Sequence, residues 1–272
     1  MGGCKTVVMG EEDLTPSRSP GRRELHRVAR TREYLSMALD IVTTEGFDAL
    51  TMQRLADECE SAIGAVYRYF PSKGALVAEI QREAVERLGT SYAVARSALE
   101  RHVAGSVASD LDAAVVALSR VVHLGRWFIS LSDTHPQELR LLQMLLSESR
   151  TVVPVEEGLR VVPSVMRLLD QARACVEEAT ALGALDDRDD AMTRVVVWAA
   201  GVGGVMHAGR LDVYDTELFA GNRLARALTH DLHLAWGGSP IGLAAAHRFV
   251  DRLESGEGPA DRGVCELHDS ED

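Results

Sequence analysis

Six arginines stand close together near the N-terminus, and only one acidic residue lies among them. Guanidinium groups bind phosphate oxygens strongly, because their donors match the geometry of the anion. The segment is therefore suited to contact a phosphate backbone as an N-terminal arm, although it could equally be a solvated face. Its members are Arg18, Arg22, Arg23, Arg27, Arg30 and Arg32.

The other patterns that could support chemistry are weaker. The four cysteines are far apart and form no CxxC pair, so neither a disulfide framework nor a zinc site is predicted. His230 and His233 are spaced as two ligands on one helical turn, but no third ligand is evident and no metal is predicted. "GVGG" (residues 201–204) lies in a helical pattern without a preceding strand, which favours a close helix–helix contact over a phosphate loop. No Ser-His-Asp or Cys-His set can be argued from spacing, so neither an enzyme nor a cofactor is expected.

Composition and charge fit a soluble globular protein of one or two domains. The 272 residues are 46% hydrophobic and 26% charged, with a formal net charge of −12. From Pro16 to Lys73, nine basic and eight acidic residues give +1, so the remainder carries −13. The acidic remainder disfavours loose, non-specific binding to nucleic acid. With no secretory signal and no uninterrupted apolar run of membrane-spanning length, we expect a cytoplasmic protein without a membrane partner.

Apolar residues recur with helical period through most of the chain, which predicts an all-α fold. A first helix carries an apolar stripe that begins at Leu25, and Gly46 ends it in a left-handed cap. Thr51 is the predicted N-cap of a short second helix, and a third short helix should end just before Pro71. Ser72 is the predicted N-cap of a long fourth helix.

Three short helices before a long one indicate a helix-turn-helix unit on a helical body. We expect a disordered tail at 1–21, a helix-turn-helix domain at 22–71, a helical domain at 72–254 and a disordered acidic tail at 255–272. Ser239 and Pro240 give a strong start signal for the last helix. The later helices are predicted at about Asp110–Leu131, Pro136–Ser149, Glu156–Leu182, Arg188–Arg210, Thr216–Trp236 and Pro240–Glu254.

The segment from Ala38 to Leu76, "ALDIVTTEGFDALTMQRLADECESAIGAVYRYFPSKGAL", closely resembles the N-terminal DNA-binding domain of TetR-family transcriptional regulators. The remaining helices agree with that family only in number and length. The resemblance implies a three-helix DNA-binding domain on a larger helical domain for ligand binding and dimerisation, used as a homodimer on a palindrome. The residues that carry it, by order and spacing, are Gly46, Phe47, Thr51, Leu55, Ala56, Gly64, Tyr67, Tyr69, Phe70, Ser72 and Lys73.

The resemblance also implies how double-stranded operator DNA would be read. The third helix would enter the major groove, where small residues permit close approach and Ile63 or Ala65 can touch thymine methyl groups. No side chain from Ser61 to Val66 can make two hydrogen bonds to a base, so polar reading would come from Gln53, which pairs well with adenine. Tyr67 and Lys73 match phosphate-gripping positions, although a core or surface role for Tyr67 and Gln53 stays open. The full set of predicted DNA-contacting residues is Thr51, Gln53, Ile63, Gly64, Ala65, Tyr67, Arg68 and Lys73.

The sequence departs from the family at the turn between the second and third helices. Glu60 stands where the family usually has glycine, Ser61 replaces an apolar residue and Ala62 replaces a polar cap. If φ is positive at Glu60, the turn costs on the order of 1 kcal/mol relative to glycine. A carboxylate at this position also faces the DNA side and would weaken phosphate binding.

The helical body is predicted to hold a largely apolar effector in an internal pocket. The alternative is that the same side chains fill a solid core and nothing binds. The last long helices with an apolar face, near Arg188–Arg210 and Thr216–Trp236, are predicted to form a four-helix bundle with a second copy. The candidate pocket residues are His123, Trp127, Phe128, Met144, Met166, Trp198 and His207.

The function expected from these features is a DNA-binding transcriptional repressor that a small apolar ligand releases from its operator. The alternatives are a transcriptional activator, a regulator without a small effector, and a helical enzyme or carrier that keeps a helix-turn-helix. Ligand-dependent release of an operator would favour the first, and turnover without DNA affinity would favour the last.

Overall fold

The computed structural model describes residues 21–105, 112–147, 154–211 and 213–256. Within these ranges the secondary structure is helical and no strand occurs, which confirms the all-α prediction. The predicted tails lie almost entirely outside the described residues, as does Arg18 of the basic segment. The chain divides into two compact units, the first ending at Tyr69 and the second beginning at Phe70.

The first unit contains three helices: α1 (Arg22–Glu45), α2 (Met52–Glu58) and α3 (Ile63–Tyr69). Gly46 ends α1 with φ +91° and ψ 173°, which is a glycine-favouring conformation but not the left-handed helical cap that the sequence predicts. Thr51 caps α2 as predicted, because its hydroxyl accepts a hydrogen bond from the backbone nitrogen of Arg54 at 3.0 Å.

The first turns of α1 are exposed, although the sequence predicts an apolar stripe through the whole helix. Residues 21–29 are exposed throughout, Leu25 and Val28 among them, and burial begins only at Tyr34 and Leu35. Helical period alone does not show which part of a helix packs against other elements. The apolar stripe therefore predicted a longer buried segment of α1 than the structure has. The arginines at positions 22, 23 and 27 therefore lie on an exposed helix rather than on an extended arm.

The second unit begins with the long helix α4, whose predicted cap Ser72 accepts a hydrogen bond from the backbone nitrogen of Ala75 at 3.0 Å. A short 3₁₀ helix, Gly209–Leu211, follows the helix that ends at Ala208. The helices of this unit are α4 (Lys73–Gly105), α5 (Ala113–Thr134), α6 (Pro136–Ser147), α7 (Val155–Gly158), α8 (Val162–Ala181), α9 (Ala191–Ala208), α10 (Gly221–Ala235) and α11 (Pro240–Glu254).

Two of the predicted helices differ more from the structure than the others, whose ends shift by up to three residues. The continuous helix expected from Glu156 to Leu182 is interrupted, because Pro163 has no backbone N–H and is accommodated only in the first turn of α8. The helix expected from Thr216 begins at Gly221, since Asp215 accepts hydrogen bonds from the two backbone nitrogens at 217 and 218 and holds a turn there.

Helix α5 lies at the centre of the second unit and packs against α4, α8, α10 and α11. By length and composition alone, α5 could cross a membrane. The sequence pattern predicted no apolar run of that length. However, 67% of that stretch is buried inside the unit, and a core helix of a soluble domain has the same length and composition.

Candidate nucleic-acid interface and ligand cavity

The exposed face of α3 consists of small and apolar side chains up to Tyr67, and Arg68 follows near the end of the helix. Val66 is fully buried and anchors the helix, whereas Ile63 is 38% and Tyr67 47% exposed. Gly64 is also exposed, and a Cβ placed there would meet no atom within 4 Å. Packing within the unit therefore does not require glycine at this position, and its absent side chain leaves the backbone of α3 open to close approach.

Helix α2 presents Gln53 in a fixed orientation. The side chain is exposed, and its amide nitrogen donates to Oδ1 of Asp57 at 2.8 Å. This contact leaves the amide oxygen and one amide hydrogen available. One acceptor and one donor are what a bidentate pair with adenine needs.

The end of α3 carries Tyr67 and Arg68, two of the residues predicted to contact DNA. Among the described residues, neither the hydroxyl of Tyr67 nor the guanidinium of Arg68 has a hydrogen bond or an ion pair, and the guanidinium lies 5.6 Å from the ring centroid of Tyr69. Lys73 is the first residue of α4, in the second unit, and is half-buried. Tyr67 and Arg68 thus offer donors beside the small face of α3.

The turn between α2 and α3 contains the one non-glycine residue with positive φ in the described part of the chain. Glu60 has φ +47°, as its replacement of the usual glycine predicts. A non-glycine residue in this region costs on the order of 1 kcal/mol. The carboxylate is exposed, so it adds negative charge to the surface that carries α3.

A polar cluster that the sequence did not reveal attaches α1 to this turn. The hydroxyl of Ser61 lies 3.0 Å from that of Tyr34, donates to the carbonyl oxygen of Cys59 at 3.1 Å and accepts from the guanidinium of Arg30. Arg30 also binds Glu33 at 2.7 Å. Ser61 therefore stabilises the turn through hydrogen bonds where the family uses an apolar contact, and Arg30 is occupied by protein partners.

A groove of about 410 Å³ separates α1 from α3 in the first unit. His26 and Arg30 line its α1 side, and Ala65 and Arg68 line its α3 side. The groove therefore continues the exposed face of α3 toward the basic turns of α1.

The second unit contains a partly open cavity of about 140 Å³ between α5, α6, α8 and α9. Its walls are apolar, and Gln143 is the only polar side chain apart from two indole rings. Phe128 and Trp198 pack with their rings tilted by 57° and their centroids 5.2 Å apart, and the indole nitrogen of Trp198 donates to Thr229 at 3.1 Å.

The structure brings together only part of the predicted pocket. Trp127, Phe128 and Trp198 line the cavity, whereas Met166 and His207 are on the surface. Among the residues that line the cavity, the prediction missed Leu124, Leu139, Leu142, Val165, Leu168, Leu169 and Val195. Helical spacing from Trp127 could have pointed to Leu124, but the leucines of α6 and α8 resemble any other core leucine in sequence.

The remaining two predicted pocket residues also lie outside the cavity lining. Met144 is half-buried on α6. The ring nitrogen Nε2 of His123 lies 3.1 Å from the carbonyl oxygen of Ala95 on α4. Burial lowers the pKa of His123 below its usual range, so this imidazole is neutral near pH 7 and bonded to the backbone.

No cluster of histidine, cysteine, aspartate or glutamate side chains suited to a metal ion is found within residues 21–105, 112–147, 154–211 and 213–256. The pair formed by His230 and His233 thus has no third ligand in this part of the chain.

Comparison with known proteins finds a family match in the N-terminal part of the chain. Residues 35–80 match the model of the family described as bacterial regulatory proteins, tetR family. Two curated relatives are both named HTH-type transcriptional repressor KstR. The protein from Rhodococcus jostii is 30% identical over 82 residues, which are 30% of this chain and 35% of the relative. The protein from Mycobacterium tuberculosis is 35% identical over 80 residues, 29% of this chain and 33% of the relative. The chain therefore spans about a third of the length of the curated relatives it matches.

Solved structures show the same fold over a longer stretch. A protein from Rhodococcus sp. RHA1 is 20% identical with a TM-score of 0.51, over 76% of this chain and 94% of that one. SmeT, the repressor of the Stenotrophomonas maltophilia multidrug efflux pump SmeDEF, is 19% identical with a TM-score of 0.51, over 76% of this chain and 89% of SmeT. These likenesses show the fold, and the family match adds the identity of the helix-turn-helix. Residues 35–80, which include most of the three-helix unit, thus match the TetR family of bacterial regulatory proteins.

Proposed function

We propose that this protein is a transcriptional repressor that binds a palindromic operator as a homodimer and leaves it when a small apolar molecule binds in the second unit. The observation that carries the proposal is the open surface at Gly64, where a helix exposes its backbone without any packing reason inside the protein. A regulator rather than an enzyme agrees with the family match, and both curated relatives are named repressors.

Recognition of the operator divides into shape and hydrogen bonding. The small face of α3 enters the major groove, where Ile63 and Ala65 contact thymine methyl groups. Gln53, held by Asp57, pairs with an adenine edge. Tyr67, Arg68 and Lys73 contact phosphates, which position the domain without reading sequence. The N-cap residue Thr51, at the start of α2, is exposed, as Gln53 is.

Dimerisation uses the outer faces of α9 and α10. The single charged residue of α9, Arg194, is buried, and its guanidinium donates to the carbonyl oxygen of Asp186 at 2.7 Å. The positions of α9 that face outward carry valine, alanine, glycine, threonine and histidine, and Val196 and Val197 are 46% and 54% exposed. An uncharged helix face of this length is suited to another apolar helix, so a second copy completes a four-helix bundle. Half-sites then lie about one turn of DNA apart.

The effector binds in the apolar cavity of the second unit. A volume of about 140 Å³ is close to that of an engineered apolar cavity, roughly 150 Å³, which takes up benzene. With Gln143 as the polar side chain in the wall, the site suits an apolar molecule with at most one polar group. A longer ligand has to displace side chains of the wall.

Release follows from a difference in affinity. A ligand weakens operator binding if it prefers a conformation that the operator-bound dimer cannot adopt. A preference of about 3 kcal/mol reduces operator affinity more than a hundredfold.

The substitution Gly64→Ala tests the interface. Alanine should stabilise α3 by roughly 0.5–1 kcal/mol, because glycine is a poor helix former and the added methyl meets open space. Operator affinity should nevertheless fall by about tenfold or more, because the methyl prevents close approach. Operators are first selected from genomic fragments, and binding is then measured by anisotropy alongside thermal unfolding.

Gly89→Ala is the matched control. Gly89 lies in α4, where a Cβ would only reach Nε2 of Gln171 at 4.0 Å, so it should gain stability without losing operator affinity. Equal operator affinity of Gly64→Ala and the wild type would contradict the interface. A reporter gene behind the selected operator decides the direction of control: transcription that rises on deletion of the regulator supports a repressor, and transcription that falls shows an activator.

Gly203 gives a test of the cavity. It lines the cavity, and a Cβ there would meet no atom within 4 Å, so a larger side chain can grow into the space. A panel of lipophilic compounds and acyl-CoAs is first tested for a rise in melting temperature and for operator release. Gly203→Leu should abolish both effects of any hit, and Gly203→Ala should keep them in part. A panel without any hit, or hits that Gly203→Leu leaves unchanged, would remove the cavity as the effector site.

A further inference from the structure

A second, polar cleft of about 500 Å³ lies between α5, α10 and α11 in the second unit. It shares no lining residue with the apolar cavity. Helix α10 contributes Arg226, Thr229, His230 and His233 to its wall. Their spacing of three, four and seven residues places them on one face of the helix, so the pair of histidines that had no metal partner belongs to a longer polar row.

The deepest polar group of this row is His233. It is 3% exposed, and its ring nitrogen Nδ1 is buried without a hydrogen-bond partner among the described residues. Buried polar atoms are nearly always paired, so an orphaned nitrogen in a cleft indicates a missing partner. Burial lowers the pKa of His233 to about 4, so the neutral ring can donate or accept one hydrogen bond at pH 7.

The cation nearest the mouth on α10 is also without a protein partner. Within the described part of the chain, Arg226 has no ion pair and no hydrogen bond, and its side chain is exposed. The ring of His230, one turn further on, lies 6.2 Å from that of His247 across the cleft. The α10 wall therefore holds the side-chain nitrogens of Arg226, His230 and His233, and within the described part of the chain none of the three side chains has a hydrogen-bond or ion-pair partner.

The opposite wall has its charges paired. Arg126 of α5 binds Asp251 at 2.6 Å and Glu254 at 2.9 Å, and it donates to Nδ1 of His247 at 3.0 Å. Both carboxylates of α11 are thus held by one guanidinium, and Asp133 is the remaining acid of the lining. An anion is best accommodated against α10, away from this paired cluster.

We propose that this cleft binds the anionic group of a small molecule, a carboxylate or a phosphate, with Arg226 and His230 at its side and His233 at its floor. Its volume lies in the range of about 300–1,000 Å³ that is usual for small-molecule sites. Arg226 forms paired hydrogen bonds to the anion, since a guanidinium matches two oxygens of either group. Val122 and Ile129 give the inner end of the cleft an apolar surface for the rest of the molecule.

The experiment uses the full-length protein without DNA, so its outcome does not depend on the proposed function. Thermal unfolding is measured with sodium phosphate, with sodium succinate and with sodium chloride at matched ionic strength. Either anion at saturation should raise the melting temperature by about 2–4 °C above the chloride sample. A rise with phosphate alone assigns a phosphate group, and a rise with succinate assigns a carboxylate. No rise with either anion overturns the proposal.

Variants locate the binding. Arg226→Gln should abolish the anion-dependent rise in melting temperature. Arg223→Gln, on the same helix but outside the cleft lining, should keep that rise. His233→Gln should reduce the rise, and because each variant is compared with its own chloride sample, a change in its basal stability does not affect the result. A full rise in Arg226→Gln would place the anion elsewhere and overturn the assignment. Gly64→Ala should show the wild-type rise, which separates this site from DNA binding.

Discussion

Apart from Arg68 near its end, the exposed face of α3 is uncharged and rich in small and apolar residues. The exposed face of α9 has the same character, yet the surroundings of the two faces differ. Around α3, the exposed positions give way to Gln53, Tyr67 and Arg68, which carry available hydrogen-bond donors. Along α9, from Ala191 to Ala208, the one charged side chain is buried.

The difference agrees with the two kinds of partner that we propose. A small apolar face ringed by donors suits a surface that is itself polar at its edges, as the major groove is between its phosphates. An apolar face without such a ring suits another apolar helix. The polar residues around each apolar face, rather than the exposed apolar residues themselves, thus distinguish the two proposed partners.

The largest effect is expected from a charge on the α9 face. Val197→Glu would place two carboxylates in the symmetric interface, at a cost of about 3–5 kcal/mol, because each buried charge lacks a partner. The dimer dissociation constant should rise more than a hundredfold. Light scattering at micromolar concentration should then show a monomer. The control variant Val94→Glu, at an exposed apolar position of α4, should remain dimeric. A monomeric wild-type protein would contradict the proposed dimer and the interpretation of the α9 face.

An intermediate effect is expected at the rim of α3. Gln53→Ala should cost about 1–3 kcal/mol on the cognate operator and relax the preference at one adenine per half-site. Lys73→Ala should weaken binding to all sequences alike and reduce the slope of affinity against salt by roughly one unit. Titrations of operator variants at several salt concentrations separate the two. If the two variants lose affinity in the same pattern, the division into base reading and phosphate contact is wrong.

The smallest effect is expected at the turn before α3. Glu60→Gly should raise the free energy of unfolding by about 1 kcal/mol, because glycine adopts φ +47° without strain. Glu60→Gln keeps the strain and removes the charge, so it should leave stability nearly unchanged but tighten DNA binding modestly at low salt. Chemical denaturation and binding at two salt concentrations check both. A gain in stability with glutamine as large as that with glycine would point to charge rather than backbone strain.

Local signals predicted well where a few neighbouring residues decide the structure. Thr51, Ser72 and Ser239 are N-caps because their hydroxyls reach backbone nitrogens of the same turn, and no distant residue is needed. The positive φ of Glu60 is local as well. The same kind of signal was overlooked at Pro163, where the first turn of α8 could have been placed from the proline alone.

What the sequence by itself determined is the helical content, the N-caps at Thr51, Ser72 and Ser239 and the helix-turn-helix, since each follows from short-range periodicity and the order of neighbouring residues. Only the tertiary structure decided which side chains share a site. Trp127 and Trp198 line one cavity while His207 is exposed, and Arg226 and His233 of α10 share a cleft with Arg126 of α5. Such groupings depend on how helices far apart in sequence rotate and pack, and helical period assigns a residue to a face without stating what that face meets.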